Sequence, residues 1–291
     1  MTEILPEAAA KSLVYGALLV LCGACTAHFA LLRIKSIVDA GKAPLDRSLA
    51  SIGLGAAAFA LVSLFVRLWT HTAAVFGLPD AWSWRSLSVV AFESRWGWGW
   101  RVQAVLAATL VAVAVSIRIR AGVGWLVTAI GSAAFSFALP LNGHAAGRWP
   151  RVVVHGSHML AAGAWLGTLA VLIAISRGRT LYAEAFAAAA YDQFASIALP
   201  SAAVLVIAGL IASSMYVGSV ASLVSTTYGR VLALKVCLFG GVVTCGYLNW
   251  RRVGSSRRAG GGRVALLAVP EVCFAAAVIV ITAVLTEIEH P

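Results

Sequence analysis

The chain has 291 residues, 61% of them hydrophobic and only 11% charged, with a formal net charge of +11 and a mean hydropathy of +0.91. A soluble domain of this size carries about twice that charged fraction, so the composition excludes a water-soluble module and indicates an integral membrane protein. The basic residues are dispersed along the chain, which suits membrane topology and anionic lipid and excludes a nucleic-acid surface.

A membrane-crossing helix needs about 20 mainly apolar residues, and eight such stretches follow one another at residues 11–34, 50–71, 99–118, 122–141, 153–175, 194–217, 230–250 and 264–286. Little sequence remains between them. The expected fold is an all-α polytopic helical bundle forming a single domain over residues 1–291, without a soluble catalytic module, and the expected protein is not an enzyme. The first stretch is not a cleavable signal, because Glu3 and Glu7 precede it and its apolar run is too long. It contains "LCGACTAHFALLRIK", in which Cys22, Cys25 and His28 are spaced three apart and wind as one stripe. The second stretch closes on His71. A long connector follows, "HTAAVFGLPDAWSWRSLSVVAFESRWGWGWR", which carries Trp82, Trp84, Trp96, Trp98 and Trp100. Indoles settle at the headgroup boundary, so the connector reads as an interfacial anchor in preference to a lid.

The fourth and fifth stretches flank "NGHAAGRWPRVVVHGSHMLAAGAWLGTL", which gathers His144, His155, His158 and Met159 around a two-arginine turn. His155 lies three residues from His158 and four from Met159, so the three project from neighbouring parts of one helical surface. Met215 ends the sixth stretch. The seventh holds Lys235, placed to snorkel outward, with Cys237 and Cys245. "GSSRRAGGG" then forms a flexible loop before the eighth stretch, where Glu271 follows Pro270. Glu271 reads first as one half of a structural ion pair and second as an aid to proton or cation movement.

Alternate connectors differ in charge. Those after the odd-numbered stretches hold thirteen Lys and Arg, those on the opposite side eight. Cytoplasmic loops retain positive charge, which places both termini in the periplasm. His71, His144, His155, His158 and Met215 then fall at one outer level. Imidazole with thioether suits copper, and Cu(I) more than Cu(II), whereas hard cations would want carboxylates that are scarce here. Any one of these histidines alone reads more readily as hydrogen-bonded to headgroup or water. Cys22, Cys25 and His28 lie deeper and form a candidate inner station, although each cysteine taken singly reads more readily as packing. Disulfides are not expected between helices inside lipid.

Several of these runs resemble one family. "HGSHMLAAGAWLGTL" is similar to the fifth-helix signature of the copper resistance D (CopD/PcoD) family. "NGHAAG", "ESRWGWGWR", "TTYGRVLALKVCL" and "YLNWRR" resemble the family's fourth-helix end, third-helix start, seventh-helix start and seventh-helix exit. The stretch "RVALLAVPE" keeps Glu271 but has fewer arginines before it than the family pattern. The resemblance implies a bacterial inner-membrane protein that handles copper ions, moving them from periplasm to cytoplasm, often beside a soluble periplasmic CopC-type copper-binding partner. It implies His144, His155, His158 and Trp165 in the outer site, with Gly167 as a packing residue. It does not supply the Cys22, Cys25 and His28 stripe. Two other readings stay open: a haem-binding electron carrier, since paired histidines on facing helices ligate haem iron, and a copper-sensing scaffold that does not transport.

Overall fold

A computed structural model describes residues 4–34, 42–119, 123–143, 147–177, 183–217, 219–258 and 268–288. Its long helices are α1 (Ile4–Leu31), α2 (Lys42–Phe76), α3 (Arg95–Ile119), α4 (Val123–Ala138), α5 (Trp149–Ala162, continued to Arg177), α6 (Ala183–Tyr216), α7 (Thr227–Arg258) and α8 (Ala268–Leu285). No strand occurs among the described residues. Seven helices are long and apolar enough to cross a membrane, and α8 contributes a shorter apolar helix over Val269–Leu285. The eight expected stretches thus each coincide with a helix. Most of the helices extend beyond the expected bounds, because helical hydrogen bonding continues past the hydrocarbon core into the boundary layer.

α1 is the hub. It packs against α2, α4, α5 and α8, and 72% of its membrane window is buried, against 17% for α6 and 11% for α7. Small residues make that position possible. Ala8, Ala10, Ala17, Ala24 and Ala27 are all buried, and a Cβ on Gly23 would overlap the backbone of Gly167 and Thr168. A Cβ on Gly167 would in turn overlap the Leu19 carbonyl. Two glycines therefore let α1 and α5 cross backbone to backbone, the close approach by which helices associate where lipid offers no hydrophobic drive. The crossing falls at a π-helical turn in α5, Gly163–Gly167.

The tryptophan connector divides by function of place. Trp82, Trp84 and Trp98 are exposed, as an interfacial anchor requires, whereas Trp100 is buried and donates its indole N–H to the Leu64 carbonyl at 2.8 Å. α4 ends in a 3-10 turn, Leu139–Asn142, held by Gln103 of α3. The Gln103 Nε2 donates to the Ala138 carbonyl at 2.9 Å and to Asn142 Oδ1 at 2.6 Å, and Asn142 Nδ2 donates to the Trp96 carbonyl at 2.8 Å. At the same end Lys11 pairs with Glu287 and donates to Thr286 Oγ1 at 3.0 Å, which joins α1 to the end of α8.

Candidate metal-handling cavity

A cavity of about 300 Å³ opens at the end of the bundle where α1 begins. α5 supplies His155, His158 and Met159 to its wall, α7 supplies Tyr228 and Lys235, and Tyr216 of α6 closes one side. The three-and-four spacing on α5 places the two imidazoles and the thioether toward one space, as helical periodicity requires. His155 Nε2 lies 3.1 Å from the Tyr216 hydroxyl. His158 Nδ1 is buried without a well-formed hydrogen bond among the described residues, and its ring packs near the Leu205 backbone and Gly209 of α6, where a Cβ would make ordinary contact. An imidazole nitrogen kept dry and unbonded retains its lone pair or proton for a ligand, at a cost that most buried polar groups avoid.

The remaining expected site residues are distributed elsewhere. His144 lies outside the described residues, though Leu139, Pro140 and Gly143, which lead to it, line the cavity. His71 does not line this cavity. Its Nδ1 lies 2.9 Å from Glu7 Oε1, and its ring stacks on Trp96 with centroids 4.1 Å apart. Met215 packs beside the cluster of Tyr216, Tyr228, Leu232 and Leu285 without lining the cavity. Among the described residues, no three His, Cys, Asp or Glu side chains come together as a metal cage.

The deeper stripe is buried. Cys22 and Cys25 are each 4% exposed, and the Cys22 sulfur lies 4.0 Å from the Ser136 hydroxyl on α4. All five cysteines are free thiols. His28 Nδ1 lies 3.1 Å from Asp46 Oδ1, and its ring stacks on Trp125 at 4.2 Å. Met159 is one turn from Gly163, and a Cβ on Gly163 would overlap the Cys22 side chain. The cavity wall and the stripe therefore meet at the α1–α5 crossing. Glu271 is buried at 2% exposure and accepts a hydrogen bond from the Trp165 indole. An indole thus takes the place of the Lys or Arg partner expected for it.

Sequence reasoning missed Glu7, Asp46, Tyr216 and Tyr228 as partners. A depth comparison reveals the first two: Glu7 and His71 sit at the same ends of adjacent antiparallel helices, and so do His28 and Asp46 at the opposite end. The tyrosines carry no such signal, because phenols at helix ends are common in any membrane protein.

Comparison with known families gives two matches. Residues 1–149 match the family described as copper resistance protein D-like, N-terminal domain, and residues 188–285 match the family described as copper resistance protein D. No curated protein and no solved structure matches significantly. With one of these matches spanning half of the chain and the second most of the rest, the chain belongs to the copper resistance protein D family and is a multi-pass membrane protein of copper resistance.

Proposed function

We propose that the protein carries copper across the bacterial inner membrane from the periplasm to the cytoplasm, acting as one domain with both termini periplasmic. The observation that carries this reading is the cavity wall of α5, where His155, His158 and Met159 face a common space and His158 Nδ1 has no well-formed hydrogen bond among the described residues. Copper is the substrate. Two imidazoles and a thioether form a donor set suited to Cu(I), and His144 is proposed as a further ligand. A set this small binds moderately, which transport requires, since an ion held by a full cage does not leave.

The inward route runs from Met159 to Cys22, Cys25 and His28 along α1. Support comes from the close approach of Gly163, one turn beyond Met159, to the Cys22 side chain. The pairing of His28 with Asp46 supplies a carboxylate at the far end, where a cation emerging toward water gains a counter-charge. A soluble periplasmic copper-binding protein would deliver at the cavity mouth. His71, held by Glu7 and Trp96, and Met215, outside the cavity, take supporting places at the rim. Haem has less support, because His71, His155 and His28 lie against Glu7, Tyr216 and Asp46 respectively.

Copper accumulation in cells provides the test. With expression matched in the membrane fraction, the double variant His155→Ala, His158→Ala should lower uptake by about tenfold, the size of effect expected from losing ligands worth at least 1.4 kcal/mol. Uptake equal to that of the parent would overturn the site.

A further inference from the structure

The cavity has an open side that copper does not explain. α6 packs on α5 and α7 packs on α8, but α6 and α7 make little contact with each other. The cleft between them is apolar and faces outward: Val206 and Leu210 on α6 and Val236 on α7 all line the cavity, yet are 42%, 67% and 60% exposed. In a membrane-spanning bundle that exposure is to hydrocarbon, so acyl chains have direct access to the cavity from the side.

The same cavity holds an uncompensated cation. Lys11 and Lys235 both line it. Lys11 is neutralised by Glu287, whereas no carboxylate among the described residues lies within ion-pair distance of Lys235. Lys235 is eight residues into α7, or about 12 Å along its axis. Its four-carbon stem spans half of that distance when it reaches back toward the boundary. Tyr228 lines the same cavity, and Arg151 lies over the Tyr216 ring at 4.7 Å. An ammonium in an apolar cleft is costly unless an anion meets it.

We infer that the cleft between α6 and α7 is a binding site for one anionic phospholipid from the leaflet at that end, with its phosphate on Lys235 and its acyl chains along Val206, Leu210 and Val236. Charge complementarity selects the occupant: a phosphodiester supplies the missing anion through charge-assisted hydrogen bonds, and its chains fill the apolar opening. A zwitterionic lipid brings its own cation and offsets Lys235 less well. This inference does not depend on copper.

The experiment measures lipid retention with copper chelated throughout, so its outcome is separate from that of the uptake test. The full-length protein is reconstituted with equal amounts of phosphatidylglycerol and phosphatidylcholine of matched chains, extracted in mild detergent, and weighed intact by native mass spectrometry. The parent should retain one phosphatidylglycerol with a preference of about tenfold. Lys235→Gln should lose that preference while eluting as the same monodisperse species, and Lys235→Arg should keep it. Displacement of the lipid by millimolar inorganic phosphate would overturn the part of the inference that seats chains in the cleft. Equal retention of the two lipids by the parent, or an undiminished preference in Lys235→Gln, would overturn the inference as a whole.

Discussion

Individual side chains in this bundle are placed by the polar partners they find at equal depth. Gln103 is the clearest case. It is fully buried, accepts from Arg67 Nη1 at 3.1 Å, and donates to the end of α4. Arg67, itself 4% exposed, also lies over the Trp96 ring at 5.4 Å. Gln103→Leu would keep the volume and remove both functions, leaving a buried guanidinium and the Asn142 amide each short of a partner. A loss of about 1–3 kcal/mol per orphaned group is expected, read as a clear fall in thermal melting temperature in detergent. Arg67 was visible in the sequence only as a charge inside a helix. Its partner was not, because glutamine in an apolar run gives no sign of which neighbouring helix it will face.

At the scale of elements, the existence of each apolar helix was legible, whereas helix ends and packing were not. Each apolar stretch became a helix because a chain in lipid must satisfy its backbone internally, which makes hydropathy a direct reading of structure. The choice of α1 as hub has no such signature: its apolar content resembles that of α6, yet one is buried and the other lies at the rim. What separates them is the spacing of small residues. Gly23 and Gly167 each sit against backbone, while Gly16, on the same helix as Gly23, has nothing within 4 Å of a Cβ. Gly23→Ala should therefore reduce the yield of folded protein and its melting temperature, and Gly16→Ala should leave both unchanged. Equal behaviour of the two variants on size-exclusion chromatography and thermal melting would contradict the crossing. The histidine cavity was legible from its periodicity on α5, whereas the departure of His71 to Glu7 was not, since both belong to helices whose contacts the sequence leaves open.

For the whole molecule, the proposed orientation rests on the unequal distribution of Lys and Arg between alternate connectors. Alkaline phosphatase fused after Pro291 should be active in intact cells, and green fluorescent protein at the same position should be dark; the reverse pattern would invert the proposed direction of copper movement. The molecule is also uneven in its cohesion. α1 to α5 form the packed portion with its polar network, and α6 and α7 stand at the edge around the cavity.

The ion pair between Lys11 and Glu287 has a consequence for biosynthesis. Lys11 is 3% exposed in the finished bundle, but its counter-charge is encoded 276 positions later and leaves the ribosome only after every other helix has been inserted. Until α8 arrives and docks beside it, the first helix has only Glu7, one turn away, as a carboxylate of its own near Lys11. Such a long-range closure is slow relative to local pairing, so a chain terminated before α8 would be left with a hub that cannot settle.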